Sequence, residues 1–360
     1  MIKYLGSKRR LVPVLGELLT RAGAKTALDL FTGTTRVAQE WKRRRAEVWA
    51  IDTARYAEVL AGCYVEADGD HIDRDKLGDA LSHLDNLPGV DGYVTATFSQ
   101  ASRYFQPHNA RRIDAIRDEI LRCWTGDPLE PVLLTALLEA ADRVDSTTGM
   151  QMAYLKQWAP RSYQRLTLRQ PVLLPGPGHA VGGDATVVAA GLPEVDLAYL
   201  DPPYNQHRYF TNYHVWETLV AWDAPEYYGV ACKRLDARDA STRSVFNDRR
   251  RAPEALARLI ADVRAATVVI SGSNEGFVGV DDLVDMAAVR GHVEVMSFDS
   301  RRYIGAQIGI HNLLGEKVGQ VSHTRNVEYL ICAGDPSLVR RLLDNEIDLS
   351  PAVATAMPAS

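Results

Sequence analysis

The feature that most limits the folds open to this chain is a set of short, almost continuous apolar runs. They read KTALDLF, EVWAID, VDLAYLD and ATVVISG and occupy residues 25–31, 47–52, 195–201 and 266–272. Runs without alternation of polar and apolar residues are typical of strands buried on both faces of a parallel sheet, whose connections are usually helices. The segment 36–45, between the first two runs, has helical composition. We therefore predict an α/β fold with a largely parallel sheet.

A long segment between the second and third runs has a different pattern. Residues 110–124 and 131–144 show helical periodicity, and no convincing strand lies between residues 66 and 170. Aromatic and basic side chains are interleaved between residues 93 and 112. We predict that this segment is a mainly helical insertion.

The C-terminal segment 301–334 alternates polar and apolar residues, with turn residues at 312–316 and 324–326. This pattern predicts antiparallel strands added to the sheet edge. A short helix is expected after residue 335, followed by a loose tail rich in Pro, Ala and Ser. The predicted division of the chain is the first part of the core at 1–65, the helical insertion at 66–170, the remainder of the core at 171–335, and the C-terminal helix and tail at 336–360.

Composition disfavours several classes of protein. The formal net charge is −5, whereas nucleic-acid-binding domains are often basic, although arginine and lysine are clustered here. The four cysteines are far apart, which argues against a zinc site or a disulfide framework and favours a reducing cytoplasm. The N-terminal segment lacks a small-residue cleavage site, and the apolar stretch 131–141 contains Glu139 and is too short to span a bilayer. We therefore expect a cytoplasmic protein with no metal and no membrane segment.

The stretch DLFTGTTRVA, residues 29–38, predicts a turn that can bind a cofactor. Gly33 follows the first strand and precedes a helix, so a ligand can approach the backbone and the helix N-terminus. Asp52 ends the next strand, where a carboxylate can accept hydrogen bonds from ribose hydroxyl groups. Asp29 would repel a pyrophosphate but suits a sulfonium or an ammonium group, and S-adenosylmethionine (SAM) carries both. An ordinary strand-to-helix turn is the structural alternative, and the dinucleotide pattern GxGxxG fails for lack of two glycines.

The third run ends in Asp201-Pro202-Pro203-Tyr204, which has the groups needed to hold an aromatic amine. Asp201 and the Pro202 carbonyl offer two acceptors in a rigid space, because proline restricts the backbone and donates no hydrogen bond. An exocyclic amine is a poor nucleophile until both N–H groups are bound, and Tyr204 can stack on an extruded base. Methyl transfer would then depend on positioning and electrostatics. A Pro-Pro turn that only ends a strand is the structural alternative.

Three motifs, in this order, resemble those of the Dam-like alpha group of SAM-dependent DNA adenine methyltransferases. They are KYLGSK at 3–8, FTGTT at 31–35 and DPPY at 201–204, and Thr35 replaces the second glycine of the family's FxGxG-like turn. The resemblance implies an α/β, Rossmann-like methyltransferase sheet with antiparallel C-terminal strands and a mainly helical inserted DNA-recognition domain. It also implies SAM as the cofactor and double-stranded DNA as a partner, and it allows a cognate restriction endonuclease as a second partner.

Together, the residues and the resemblance assign roles to particular side chains. The predicted catalytic residues are Asp201, Pro202 and Tyr204. The predicted cofactor-binding residues are Tyr4, Lys8, Asp29, Phe31, Gly33, Asp52, Asp184 and Asp201. Segment 205–219 resembles the loop that closes over a flipped base, where His207, Arg208 and Tyr209 could support the base. The insertion would recognise the target sequence, although any single arginine in it is more simply explained as a solvated surface group.

Four functions are compared on these grounds. The leading one is methylation of adenine at its exocyclic amine within a short DNA sequence. An RNA or cytosine-N4 amino-methyltransferase would use the same pair of acceptors. A catalytically silent SAM- and DNA-binding regulator would keep the fold, but the intact DPPY motif argues against it. A nicotinamide oxidoreductase fits poorly, because the third glycine is absent and Asp29 would repel the pyrophosphate.

Overall fold

The computed structural model describes residues 2–4, 8–301, 310–311, 317–319 and 325–343. The strands of the main sheet are β1 (Thr26–Leu30), β2 (Glu47–Asp52), β3 (Gly178–Gly182), β4 (Val195–Leu200), β5 (Ala265–Ser273), β6 (His292–Arg301) and β7 (Arg325–Gly334). These seven strands have the order β3-β2-β1-β4-β5-β7-β6. The first five run parallel, and β7 is antiparallel to both of its neighbours. Two short antiparallel ribbons are separate from this sheet: Tyr227–Tyr228 with Lys233–Arg234, and Ile310–His311 with Lys317–Gly319.

Helices connect most of these strands. They are α1 (Val12–Ala22), α2 (Arg36–Arg43), α3 (Arg55–Ala61), α4 (Arg74–Asp85), α5 (Pro107–Trp124), α6 (Glu130–Val144), α7 (Ala185–Val188), α8 (Tyr209–Asn212), α9 (His214–Ala221), α10 (Ala252–Asp262), α11 (Val280–Ala287) and α12 (Pro336–Leu343). Helix α3 continues directly as a π-helix over Gly62–Glu66, and a second π-helix covers Thr95–Gln100.

Alternate residues of the central strands face two opposite layers of helices. On one face, Ala27 and Tyr199 join a buried cluster with α1, α2 and α12. On the other face, Leu28 and Leu200 join a buried cluster with α7, α10 and α11. Both sides of these strands are therefore removed from water, which explains why their sequences are almost continuously apolar. This arrangement, with its antiparallel strand near the C-terminus, confirms the predicted Rossmann-like fold class.

The predicted insertion, residues 66–170, contains α4, α5 and α6, and within this fully described segment there is no strand. Its apolar side chains share one buried cluster with α3 and α9, in which Phe98, Leu137 and Trp216 are almost completely buried. The insertion therefore packs directly on the helices beside the sheet. Its mainly helical character is confirmed, whereas the domain boundaries and the recognition role stay predictions.

The strands predicted from apolar runs, β1, β2, β4 and β5, are confirmed, as are α2, α5, α6 and α12. The two edge strands, β3 and β6, are not predicted from the sequence. The first reads GHAVG and contains two glycines, and the second reads HVEVMSFDSR and has polar residues interspersed among apolar ones, so neither contains a continuous apolar run.

The C-terminal prediction is partly confirmed. An antiparallel strand is present as β7, but the turn predicted at 324–326 is misplaced, because Arg325 and Asn326 already lie in that strand. The turn predicted at 312–316 and the predicted tail after residue 343 lie outside the described residues.

Candidate active site

The carboxyl ends of β2, β1 and β4 lie side by side and form the candidate site. Leu30, the last residue of β1, is paired with Ile51 of β2 and with Leu200 of β4. The next residues of those neighbouring strands, Asp52 and Asp201, therefore lie on the two sides of the chain as it leaves β1. Ligands of open α/β sheets bind at this edge.

The turn after β1 has an unusual backbone. The angle φ is positive at Phe31 (124°), Gly33 (52°) and Thr35 (59°), and left-handed backbone costs about 1–2 kcal/mol for a residue with a Cβ. The buried Thr35 hydroxyl donates a hydrogen bond to the Thr34 carbonyl (2.7 Å) and accepts one from Gln39 Nε2 (2.8 Å). Thr35, which replaces the second glycine of the FxGxG-like turn, is thus fixed by hydrogen bonds at the start of α2.

Asp29 lies in β1 beneath this turn and is almost completely buried. Its Oδ2 accepts hydrogen bonds from Thr32 Oγ1 at 2.8 Å and from the Ala38 N–H at 3.2 Å. Burial raises the pKa of Asp29 to about 7, although the hydrogen bond from Thr32 acts in the opposite direction. Asp29 therefore joins the turn to α2, and its second oxygen accepts no hydrogen bond from the described residues.

Asp52 closes the turn from the side of β2. Its Oδ2 accepts the Gly33 N–H at 2.8 Å, and its Oδ1 accepts the Ala54 N–H at 3.0 Å. Burial raises the pKa of Asp52, while these backbone donors oppose the rise. The Gly183 N–H donates to the Asp52 carbonyl at 2.9 Å, so the chain leaving β3 passes beside Asp52. The next residue, Asp184, is partly exposed and caps α7.

An aromatic ring near the N-terminus covers Gly33. The Tyr4 ring stacks on Tyr213, with ring centroids 4.7 Å apart. A Cβ added at residue 33 would lie 3.1 Å from Cε1 of Tyr4, so both the positive φ and the close contact favour glycine. Phe31, in contrast, packs edge-to-face on Phe246 with centroids 5.3 Å apart. Tyr4 and Gly33 therefore form one wall of the site, whereas Phe31 belongs to the apolar layer with α10.

A network of charged groups and hydroxyls surrounds Asp201. Lys8 Nζ lies 3.3 Å from Asp201 Oδ1 and 3.6 Å from Glu328 Oε2. The same ammonium donates a hydrogen bond to Tyr204 Oη at 2.6 Å. The Tyr204 hydroxyl donates to Asp201 Oδ1 and is also hydrogen bonded to the Ser271 hydroxyl. Residues from four separate parts of the chain thus form one network around the Asp201 carboxylate, which Lys8 and Tyr204 contact directly.

The charges in this network support one another. Burial by itself lowers the pKa of Lys8, but the carboxylates of Asp201 and Glu328 outweigh it, and the pKa of Lys8 lies above its ordinary value. Burial raises the pKa of Asp201, and the Lys8 ammonium opposes that rise. Lys8 therefore stays charged at neutral pH and partly offsets the cost of burying the Asp201 carboxylate.

Most of the predicted site residues are brought together by the fold. Around the two turns lie Tyr4, Lys8, Asp29, Gly33, Asp52, Asp201, Pro202 and Tyr204. Asp184 lies beyond Asp52, and the ring of Phe31 faces the apolar layer. Ser271 and Glu328 are additional members that were not predicted. Ser271 is the polar residue near the end of the run ATVVISG, and its position at the end of a buried strand marks it as a candidate site residue. No local sequence pattern marks Glu328.

Basic side chains of the insertion are largely used within the fold. Arg112 donates to the Leu166 carbonyl at 3.1 Å, and Arg117 donates to two carbonyl groups of α9. Arg161 lies 2.6 Å from the buried Asp145 carboxylate. These arginines hold the insertion together or fasten it to α9, although the buried Nη1 of Arg117 has no partner among the described residues.

Two further observations concern the described part of the chain. No group of three or more His, Cys, Asp or Glu side chains in it is arranged to hold a metal ion. None of the helices described is both long enough and apolar enough to cross a membrane.

Comparison with known proteins gives one family and several relatives. A family model for the D12 class of N6 adenine-specific DNA methyltransferases matches residues 4–255. The chain is 27% identical over 324 residues to the modification methylase StsI of Streptococcus sanguinis, covering 84% of this chain and 49% of that protein. It is 29% identical over 318 residues to the type II methyltransferase M.NlaIII of Neisseria lactamica, and the match covers 84% of this chain and 92% of that protein.

A third relative is the type II methyltransferase M.FokI of Planomicrobium okeanokoites. It is 28% identical over 297 residues, covering 76% of this chain and 45% of that protein. The chain thus spans about half the length of the StsI and FokI proteins and nearly all of the NlaIII protein.

The raised pKa of Asp29 predicts a pH-dependent stability. In the unfolded chain this carboxyl has its ordinary pKa, so between about pH 4 and about pH 7 only the folded state keeps the proton, and stability is lost as the pH rises through this range. Asp29→Asn keeps an oxygen for Thr32 and Ala38 but cannot ionise. Urea unfolding should show the wild type losing a few kcal/mol relative to the variant between about pH 4.5 and about pH 7.5. A difference that does not change with pH would contradict the buried, proton-binding carboxyl.

Proposed function

Because the chain belongs to the D12 class of N6 adenine-specific DNA methyltransferases, we propose that it transfers a methyl group from SAM to the N6 amine of adenine in double-stranded DNA. Membership of this class confirms the family predicted from the three motifs. The observation that carries the proposal is the position of Asp201, one strand from the Gly33 turn and bound by Lys8 and Tyr204. A carboxylate placed there can accept a hydrogen bond from an amine and stabilise its developing charge.

The residues around the Gly33 turn fit an adenosine cofactor with a cationic methyl donor. Gly33 lets the Tyr4 ring approach the backbone and form a flat wall beside the turn. Asp52 and the partly exposed Asp184 offer carboxylate oxygens for hydroxyl and amino groups. Asp29 has one oxygen to which no described residue donates, and its field favours a nearby positive charge. When bound, SAM supplies an activated methyl group on its sulfonium.

Asp201 and the Pro202 carbonyl act on the target amine. Asp201 accepts one of the two N–H groups and the Pro202 carbonyl accepts the other, which returns electron density to the nitrogen. As the nitrogen gains a methyl group it becomes positively charged, and the Asp201 carboxylate stabilises that charge and accepts the released proton. While no base is bound, the Lys8 ammonium lies beside the Asp201 carboxylate and balances its negative charge.

Tyr204 has to change partners during this reaction. Its hydroxyl now donates to Asp201 Oδ1, the oxygen that also faces Lys8. A target amine needs the same carboxylate, so the Tyr204 hydroxyl gives up this hydrogen bond when a base enters. The ring is then free to stack on the face of the base.

The proposal extends to the biological setting. Two similar proteins are named a modification methylase and a type II methyltransferase, which supports a role in restriction and modification, in the cytoplasm, beside a cognate restriction endonuclease. Within this chain the helical segment 66–170 is proposed to recognise the target sequence. It packs against α3 and α9, and α9 begins within segment 205–219.

Replacing Asp201 tests the proposed chemistry. Asp201→Ala removes one of the two acceptors, so we expect methyl transfer to DNA to fall by at least about a hundredfold. The measurement is incorporation of labelled methyl groups from SAM into plasmid DNA, with thermal unfolding as the test of an intact fold. Undiminished transfer would refute the role of this carboxylate.

A matched control is available in the same strand. Asp196 lies near the start of β4, where its carboxylate accepts the N–H groups of Lys25 (2.7 Å) and Thr26 (2.9 Å). Asp196→Ala should lower stability without lowering the methyl transfer of the folded protein.

Two substitutions separate the ring of Tyr204 from its hydroxyl. Tyr204→Phe keeps the stacking surface and removes the hydrogen bond that occupies Asp201, so its activity should stay within about tenfold of the wild type. Tyr204→Ala removes the ring and should lose about 10- to 100-fold, because stacking of one base contributes about 1–3 kcal/mol. Steady-state methylation of plasmid DNA measures both. Equal losses in the two variants would show that the hydroxyl, and not the ring, is required.

A further inference from the structure

A large cleft opens beside the catalytic turn, on the side of α7 and α10. Its volume is about 1130 Å³, and it lies between α7, the loop 205–208 and the segment 240–262. Five arginines line it: Arg208, Arg243, Arg249, Arg251 and Arg258. The proposed cofactor residues reach only its edge, at Asp184. The function proposed above therefore leaves most of this cleft without a role.

The guanidinium of Arg208 is only partly satisfied by the fold. One nitrogen, Nη2, donates to the Ala237 carbonyl at 2.6 Å, but Nε is buried and has no partner among the described residues. Arg243 lies nearby and donates to the Arg238 carbonyl at 3.1 Å. Burial lowers the pKa of Arg208, and the charge of Arg243 lowers it further. Two cations are thus held close together, an arrangement that a bound anion would relieve.

Carboxylates do not neutralise this pair. In the described part of the chain, all of the cleft arginines except Arg258 lack a salt bridge within 4.0 Å. Arg234, by contrast, lies 2.7 Å from Asp223 and 2.6 Å from Asp236, which is the pattern of a structural arginine. The cleft arginines therefore resemble a binding surface and not an internal ion-pair network.

The acidic residues of the cleft are mostly engaged elsewhere. Asp184 caps α7, and Asp248 accepts the Arg250 N–H at 2.9 Å within its own turn. Glu254 lies 4.0 Å from Arg258, one turn along α10. Among the described residues, no carboxylate therefore forms a salt bridge with the arginines nearest to the loop 205–208.

The cleft is joined directly to the catalytic turn. Asn247 Nδ2 donates to the Asn205 carbonyl at 2.8 Å and to the His207 carbonyl at 3.1 Å. Asn205 is the residue that follows Tyr204. The arginine-bearing segment is therefore fastened to the loop that leads away from Asp201.

We propose that this arginine-lined cleft binds phosphate groups of the DNA backbone next to the target nucleotide. The proposal rests on the function proposed above and names the surface that holds the DNA. Guanidinium groups bind phosphate oxygens through paired hydrogen bonds. Five arginines spread over a cleft of this size suit consecutive phosphates and not one free anion. The insertion, whose arginines mostly bind its own carbonyls and carboxylates, then has less of the backbone contact to supply.

The test is the salt dependence of DNA binding. The variants are Arg243→Ala, Arg249→Ala and their combination, and the control is Arg45→Ala, an exposed arginine before β2 that makes no salt bridge among the described residues. Fluorescence anisotropy with a duplex of about 30 base pairs gives Kd over a range of KCl concentrations. Each cleft variant should reduce the slope of log Kd against log salt by about 1, and the double variant by about 2, whereas Arg45→Ala should not change it. Arg243→Lys, which keeps the charge, should keep the slope.

Kinetics on plasmid DNA separate this inference from the proposed function. If the inference holds, the cleft variants raise KM for DNA about tenfold, while kcat, KM for SAM and thermal unfolding stay as in the wild type. A wild type that methylates DNA, together with variants that keep both slope and KM, would overturn the inference alone. A wild type that transfers no methyl group to DNA would overturn the proposed function, and the salt slopes would still decide whether the cleft holds a nucleic acid. Titratable binding of inorganic phosphate, with DNA affinity unchanged in the variants, would assign the cleft to a free anion and overturn the proposal.

Discussion

The pairing of β1 between β2 and β4 is the constraint on which the site depends. Its register places Asp52 and Asp201 on either side of the turn that follows β1. Burial raises the pKa of Asp29, Asp52 and Asp201 alike, so the fold bears an electrostatic cost to bring three acids to one edge. Backbone N–H groups offset that cost at Asp52, and the Lys8 ammonium offsets it at Asp201. In the proposed function, the negative charge of these acids favours a cationic methyl donor and stabilises the charge that develops on the target amine.

The parts of the site that could be predicted from sequence are those built by consecutive residues. Gly33 follows a strand and precedes a helix, and Asp201 ends a strand with two prolines behind it, so local rules were sufficient. Ser271 of β5 contacts Tyr204 and Glu328 of β7 contacts Lys8, and these contacts depend on the order of strands in the sheet, which local patterns do not disclose. The edge strands β3 and β6 could not be predicted for a related reason. Fewer of their residues are buried, so their sequences lack a continuous apolar run.

The arginines show where pattern alone is misleading. In the sequence, the insertion looks like the basic, aromatic surface of the molecule, but Arg112 and Arg117 are buried and donate to backbone carbonyls. Exposed guanidinium groups that form no salt bridge with a described residue lie instead in the cleft beside the loop 205–208, at Arg243, Arg249 and Arg251. Whether an arginine is structural or free to bind depends on its partners in the fold. The net charge of −5 does not indicate that the chain also has a locally basic, arginine-lined cleft.

The identity of the methylated nucleoside tests the central claim most directly. Duplex DNA and a matched RNA are incubated with the protein and labelled SAM, digested to nucleosides and separated by chromatography with mass spectrometry. Asp201 and Pro202 acting on adenine predict that N6-methyl-2′-deoxyadenosine is the main labelled product and that the RNA stays unlabelled. Label in N4-methylcytosine, label only in RNA, or no label despite binding of SAM would contradict the assignment of the target amine.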